Sequence, residues 1–286
     1  MKLGLNNIIG NDFSDSGPGY TGMLDEFEGA VAAYSLKRLT NTYSGPSIRI
    51  ARKSDGVEQD VGFLDSGKLD TTQFTGFSRG ADLLVVKIYD QIGSTDPSTA
   101  VLSTAPKIYD GTTGLVTENG EPAILFDGID DALVANSSIL DNQSESFMVI
   151  VFAPNSLGAN EYAFGVQQGG GQRGILLGVS SLSRLRYHNS GVTFNALNIT
   201  GSTPTQYILS GNYDGSTMRA DYNNLNTTQA STITAAASNA VFLGTHPGFT
   251  TTFSGTFQEG IIFNSSKTSS EIIDIRDNIN SHYNVF

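Results

Sequence analysis

The chain has 286 residues, with 28 acidic against 16 basic side chains, a net charge of −12 and no cysteine. Such a surface repels phosphate backbones unless basic groups gather on one face. Arg173, Arg184 and Arg186 are too few for that, so nucleic acid and anionic membrane are disfavoured as partners. The missing cysteine excludes disulfides, thiolate metal sites and cysteine nucleophiles, and leans towards a bacterial or viral origin.

Charged residues make up 15%, against about 25% in an average chain, and 32 glycines accompany abundant Ser, Thr and Asn. Residues 1–23 carry scattered glycines without sustained periodicity and read as an N-terminal extended arm ahead of one domain over 24–286. The opening MKLGLNNIIGND has no adequate apolar core for a signal peptide, and no stretch approaches the roughly 18 apolar residues of a membrane span. Asp25 with Glu28 has capping-box spacing, and Phe27, Val31, Tyr34 and Arg38 share one face with Leu24 and Leu39. A helix is therefore predicted, ended by Tyr43-Ser44-Gly45-Pro46. Ser47–Arg52 alternates as a strand, Asp70 and Gln73 mark a short helix ending near Phe77, and Leu83–Asp90 is a strongly β run.

Ala123–Leu133, AILFDGIDDAL, reads as two short strands joined by a tight acidic turn at Asp127-Gly128. Ser146–Ala153 (SFMVIVFA) is predicted to be a buried strand. Glu161–Gln167 and Gly174–Val179 follow, separated by the glycine run 169–171. Leu185 and Tyr187 alternate with Arg184, Arg186 and His188. Asp214-Gly215 joins Gln206–Tyr213 to Thr217–Tyr222 as a hairpin, and Phe257–Phe263 is the last strand. The chain closes with a helix, where Thr268 and Glu271 have capping-box spacing and Ile272, Ile275, Ile279 and Tyr283 form the apolar stripe. The expected fold class is all-β, a two-sheet jelly-roll sandwich with a few short helices.

Several segments carry a family resemblance. FDGIDD (126–131) resembles the FDGxDD strand of laminin-G-like and concanavalin A-like sandwiches, and YDGSTMRADYNN (213–224) resembles the laminin-G-like "YDGS…YVNG". GAVAAYSLKRLTNTYSGPSIRIARKSDGVEQDVGF (29–63), VVKIYDQIG (85–93) and GTFQEGIIFNSSKTSSEI (255–272) are similar to the catalytic domain of family 54 α-L-arabinofuranosidases. The resemblance implies a concanavalin A-like sandwich and retaining glycosidase chemistry, which needs two carboxyl groups about 5 to 5.5 Å apart. The family's nucleophilic Glu lies in a "TMEAIYFG" strand, which by resemblance falls on Gln172–Val179 and puts the Glu near Arg173 or Gly174. Its acid/base Asp belongs in the loop before GTFQEG, here Gly244–Ser254, which holds no Asp or Glu. The family's adjacent cysteine pair is also missing. The resemblance thus implies the fold with both catalytic positions vacated, and no catalytic residue is assigned.

The residues themselves offer weaker candidates. Asp90 and Gln91 face a ligand or bind turn amides. Tyr162, Phe164, Tyr187, Phe194 and Tyr222 stack on sugar rings or pack the core. Arg173 beside the glycine run and Arg186 on a wet strand face are candidate ligand contacts. Asp127, Asp130 and Asp131 either cap the turn or lend oxygens to Ca2+, the one cofactor raised; the ion needs about six to eight of them. Glu259 reads as a paired structural carboxylate. His188, His246 and His282 lack metal-ligand spacing.

The expected function is a non-catalytic structural and recognition module of a bacteriophage virion surface. Its arm would dock on capsid or tail proteins, with cell-surface glycans as candidate ligands and homo-oligomerisation left open. The alternatives are an arabinofuranosidase-like glycoside hydrolase with a relocated carboxyl pair and a bacterial surface lectin or adhesin.

Overall fold

In the computed structural model the described residues are 20–141, 143–157, 161–168, 175–180, 184–189, 192–198, 205–231, 238–244 and 252–286. The strand Ser254–Phe263 organises the larger of two sheets. One of its edges pairs antiparallel with Ser146–Pro154. Its other edge is divided: Ile124–Asp127 takes residues 254–257 and Ala30–Ser35 takes residues 259–263. Opposite Val151 and Phe152 a bulge leaves Gln258 as the extra residue between the two halves.

From one edge the large sheet runs Leu225–Ala230, Thr217–Tyr222, Tyr207–Tyr213, Ser146–Pro154, Ser254–Phe263, Ile124–Asp127, Lys107–Asp110, Leu83–Ile88, Ile48–Arg52 and Glu58–Val61. The second sheet runs Ala132–Asn136, Ser238–Gly244, Glu161–Gln168, Ile175–Ser180, Arg184–Asn189 and Val192–Asn198. Between the sheets Phe126, Phe152, Phe164, Phe253, Phe257 and Tyr187 form the main core. The outer face of the large sheet is covered by the C-terminal helix Ser269–Tyr283, whose Ile272, Ile275, Ile279 and Tyr283 pack on Phe147, Val149, Ile261 and Phe263. With both faces covered, all nine residues of Ser146–Pro154 are buried, which explains the unbroken apolar run. The all-β two-sheet reading holds. The terminal helix is capped as predicted, with the Glu271 amide donating to Thr268 Oγ1 and the Thr268 amide to Glu271 Oε2.

The helix predicted from Asp25 to Leu39 does not form. A four-residue helix, Met23–Glu26, is followed by Gly29 at φ 91° and then by the strand Ala30–Ser35. Spacing alone fitted a helix there, but pairing with residues 259–263 decides the outcome, sending Ala32 and Tyr34 to the main core and Ala33 to the opposite face. Asp25 does not start a Glu28 capping box. Its carboxylate accepts from the amides of Gly22 and Asn41 and from Thr40 Oγ1. The second short helix is Phe74–Ser78, one turn later than Asp70, whose side chain instead accepts from the Thr72 amide.

Of the expected arm, residues 1–19 lie outside the described residues. The remainder packs on the sandwich: the Tyr20 ring lies 4.2 Å from the Arg38 guanidinium, and Met23 and Leu24 are buried. Among the described residues no helix is long and apolar enough to cross a membrane.

Close contact between the sheets yields a test. A Cβ at Gly211 would lie 2.2 Å from the Tyr187 ring. Gly211→Ala is expected to lose about 1 to 3 kcal/mol in urea unfolding; unchanged stability would contradict the packing of Tyr187 on that strand.

Candidate functional site

The acidic turn is a corner between sheets. Ile124–Asp127 belongs to the large sheet and Ala132–Asn136 to the small one, where it pairs with Ser238–Gly244. The chain must reverse within four residues, and Gly128 allows this at φ 78°. The Asp127 carboxylate accepts from the Ile129 amide at 2.7 Å, and Asp131 Oδ2 accepts from the Asp127 amide at 2.9 Å. The turn thereby draws the carboxylates of Asp127, Asp130 and Asp131 to within 4.8 Å of one another. Asp131 is 6% exposed, and the other two are exposed. Burial pushes the Asp131 carboxyl up to about 6; the Asp127 amide opposes this, and the charges of Asp127 and Asp130 add to it.

A fourth carboxyl stands at the same corner. Glu161 opens the strand Glu161–Gln168, is 6% exposed, and accepts from the Ser254 amide at 3.0 Å. Burial raises its pKa, opposed by that amide. Ser254 links the two acids: it pairs in register with Asp127, and a Cβ on Gly128 would lie 2.7 Å from its own Cβ. Thr252 Oγ1 donates to the Gly128 carbonyl, and Asn155 Nδ2 donates to Ser254 Oγ. Ile129 at the tip is 74% exposed.

The corner unites the three Asp residues singled out as a cation turn with Glu161, which sequence reasoning missed. Glu161 is a lone acid without a motif spacing. The available signal was EYAFG (161–165), a Glu running into an aromatic-Gly strand as in "TMEAIYFG". The three Asp carboxylates fit a hard cation only in part, since Ca2+ takes about six to eight oxygens.

The other candidates are dispersed. Asp90 is buried, and its carboxylate accepts from the amides of Ala33, Ile92 and Thr95. Burial raises its pKa against those amides. Gln91 accepts from the Leu39 amide and donates to the carbonyls of Ser35 and Lys37. Both therefore tie the Ala30–Ser35 strand to the loop after Ile88. Tyr187, Phe164 and Tyr222 lie in the main core, and Tyr162 is buried with Leu176 and Phe242 in a separate cluster. Arg186 sits in the Arg184–Asn189 strand opposite Gly178, and its side chain is outside the described residues. Arg173, His246 and the side chains of Phe194 and His188 are likewise outside them. Glu259 is a buried structural carboxylate, accepting from Ser35 Oγ and Tyr283 Oη with Lys37 Nζ at 3.5 Å.

Comparison with known proteins bears on the fold. Residues 28–125 match a family model described as alpha-L-arabinofuranosidase B, catalytic. An arabinofuranosidase complexed with arabinofuranosyl-α-1,2-xylobiose superposes with a TM-score of 0.71 at 16% identity, covering 90% of this chain and 64% of that one. A mutant of a family 54 α-L-arabinofuranosidase soaked with 4-nitrophenyl α-L-arabinofuranoside gives 0.69, again at 16% identity with 90% and 64% covered. A Trypanosoma rangeli sialidase in complex with sialic acid gives 0.53 at 12% identity, covering 69% and 32%. No curated protein sequence matches the chain. The chain spans 64% of the length of the arabinofuranosidases it resembles. Together these define the class: a β-sandwich with the fold of the family 54 α-L-arabinofuranosidases.

The strain at Asp131 predicts a pH signature. A carboxyl whose folded pKa is raised contributes stability below its unfolded value near 4, and that contribution is lost as pH rises through about 6. Asp131→Asn keeps an acceptor for the Asp127 amide. It is expected to stabilise the chain by about 1 kcal/mol at pH 7.5, after allowance for solvent screening, and not at pH 4. Melting curves at the two pH values check this; equal shifts at both would refute it.

Proposed function

We propose that the chain is an arabinofuranosidase-like glycoside hydrolase module acting on α-L-arabinofuranosyl groups, with Glu161 and Asp131 as its carboxyl pair. The observation that carries the reading is the convergence of these two buried acids on Ser254 and its partner Asp127. Ser254 ends the loop where the resemblance put the family's acid/base. The pair is then relocated in sequence, with its acid supplied by the corner turn rather than by the 244–254 loop.

The electrostatics assign the roles. Burial first, with the negative charges of Asp127 and Asp130 adding to it, holds a proton on Asp131 up to about pH 6, which suits a general acid. Burial raises Glu161 as well, against the Ser254 amide, but without the added carboxylate charges that act on Asp131, so in this reading it takes the nucleophile's part. In the retaining course, Glu161 attacks the anomeric carbon while Asp131 donates its proton to the departing oxygen. Asp131 then takes a proton from the water that releases the sugar from Glu161.

A second reading, a non-catalytic glycan-binding module, is favoured by the absence of any Asp or Glu in Gly244–Ser254. The virion-surface setting would accompany that reading and rests on the sequence alone.

Release of 4-nitrophenol from 4-nitrophenyl α-L-arabinofuranoside separates the two. Under the hydrolase reading kcat/KM declines as pH rises through about 6, the point where Asp131 loses its proton. Glu161→Gln lowers the rate by about a thousandfold or more, and Asp131→Asn by about a hundredfold or more. No turnover between pH 4 and 8 at micromolar protein would reject this reading and favour the second.

A further inference from the structure

At the far edge of the large sheet lies a different cavity. The edge strand Glu58–Val61 pairs with Ile48–Arg52, so Gln59 shares the core-facing side with its partner Ile50. The short helix Phe74–Ser78 packs at this edge, with Phe74 in the same core cluster as Ile50 and Val61. Beneath the helix is a cavity of about 200 Å3 lined by Ile50, Gln59, Asp70, Gln73, Phe74 and Phe77 among others. It adjoins a wider cavity of about 420 Å3 that shares Gln59, Gln73 and Phe77 and adds Arg52, Thr72, Gly76 and Arg79.

The polar atoms here are partly committed and partly open. Gln59 Nε2 donates to Gln73 Oε1 at 2.9 Å, which leaves Gln59 Oε1 and Gln73 Nε2 without partners among the described residues. Asp70 Oδ1 accepts from the amide and hydroxyl of Thr72, leaving Oδ2 open. Arg79, held at φ 51°, brings an exposed guanidinium with no ion pair among the described residues. Arg52 is spent: it pairs with Asp55 and donates to the Phe77 carbonyl, its guanidinium 5.1 Å from the Phe77 ring.

We infer that this groove is a binding site for one or two units of a neutral saccharide. The open atoms are two acceptors, Gln59 Oε1 and Asp70 Oδ2, beside donors from Gln73 and Arg79. A row of hydroxyl groups, each able to give and to take a hydrogen bond, matches that mixture. An anion would meet the Asp70 carboxylate, and a cation would meet Arg79. Phe77, half-buried with Arg52 against its ring, supplies an apolar edge for sugar C–H groups, with Phe74 buried behind it, and the wider cavity is of the order of small-molecule sites, roughly 300 Å3 upward. Four inter-strand steps separate Ile124–Asp127 from Glu58–Val61, about 19 Å at roughly 4.8 Å per step. The groove is therefore distinct from the carboxyl corner and does not depend on the proposed hydrolysis.

The test uses the full chain carrying Glu161→Gln, so that cleavage cannot remove the probe, in 1H–15N NMR titrations with xylotriose. Shifts of the Gln59 and Gln73 side-chain amides are expected. Gln59→Leu combined with Gln73→Leu should weaken binding by about tenfold or more. Gly76→Leu should abolish the shifts by filling the groove without strain, since a Cβ there meets nothing within 4 Å. Melting temperatures of both variants should stay near that of the parent. Unmoved amides at 10 mM xylotriose, shifts that survive Gly76→Leu, or preferential binding of a triuronate would each overturn the inference. Loss of nitrophenol release in the parent chain would strike only the hydrolase reading.

Discussion

Gln258 and Glu259 sit at the centre of the large sheet, neither with measurable exposure. Here one strand edge passes from Ile124–Asp127 to Ala30–Ser35, and the backbone groups at the junction need partners other than a continuous ladder. Gln258 supplies them on one side. Its amide donates to the carbonyls of Glu118, Glu121 and Pro122, and its oxygen accepts from Gln206. Glu259 ties the other side through side chains, accepting from Ser35 Oγ and Tyr283 Oη beside Lys37 Nζ. A buried carboxylate costs several kcal/mol in desolvation unless it is paired and hydrogen-bonded, so these contacts are conditions for the fold. The Tyr283 hydroxyl holds its proton well above the usual range, through burial first and the Glu259 charge second. It therefore remains a donor to Glu259 at any ordinary pH.

Through this junction the strand Ala30–Ser35 and the C-terminal helix are fastened to Ser254–Phe263. Ser35 belongs to the first strand, Tyr283 to the last helix, and Glu259 to the strand between them. The division of the edge also sets where the corner forms. Because Ala30–Ser35 holds residues 259–263, Ile124–Asp127 is confined to 254–257, and its end at Asp127 falls opposite Ser254. The acidic turn therefore begins where Glu161 reaches from the second sheet.

Elements with strong local signals were legible in the sequence. Ser146–Pro154 announced itself by an unbroken apolar run, the hairpin by Asp214-Gly215, and the terminal helix by Thr268 and Glu271 with its isoleucine stripe. Ala30–Ser35 was not legible, because small and apolar residues there satisfy helical spacing and only a partner strand 224 residues away in the Ser35–Glu259 pairing decides the matter. The same limit applies to the candidate site. Three of its carboxylates lie within five residues of chain and stood out as a turn. Glu161 is joined to them by Ser254, 93 residues further on, and no spacing rule reaches that far. The groove at the sheet edge was invisible for a related reason: Gln59 and Gln73 are ordinary polar residues until a helix folds one over the other.

Low overall charge gives the corner its force. In a chain with 15% charged residues, the three Asp carboxylates of the turn concentrate negative charge. Lys107 is the cation that reaches Asp131, and it is already engaged by Asp82 and Asp110. Burial first, and this repulsion after it, keep a proton on the most buried of the three, Asp131. A proton held this way is available for transfer, whereas in a cation site the same repulsion would be answered by the ion. Asp131 Oδ2 and Glu161 Oε2 are each held by an amide from the large sheet, which fixes both carboxyl groups at the corner. Both are raised by burial, and Asp131 also faces the charges of Asp127 and Asp130.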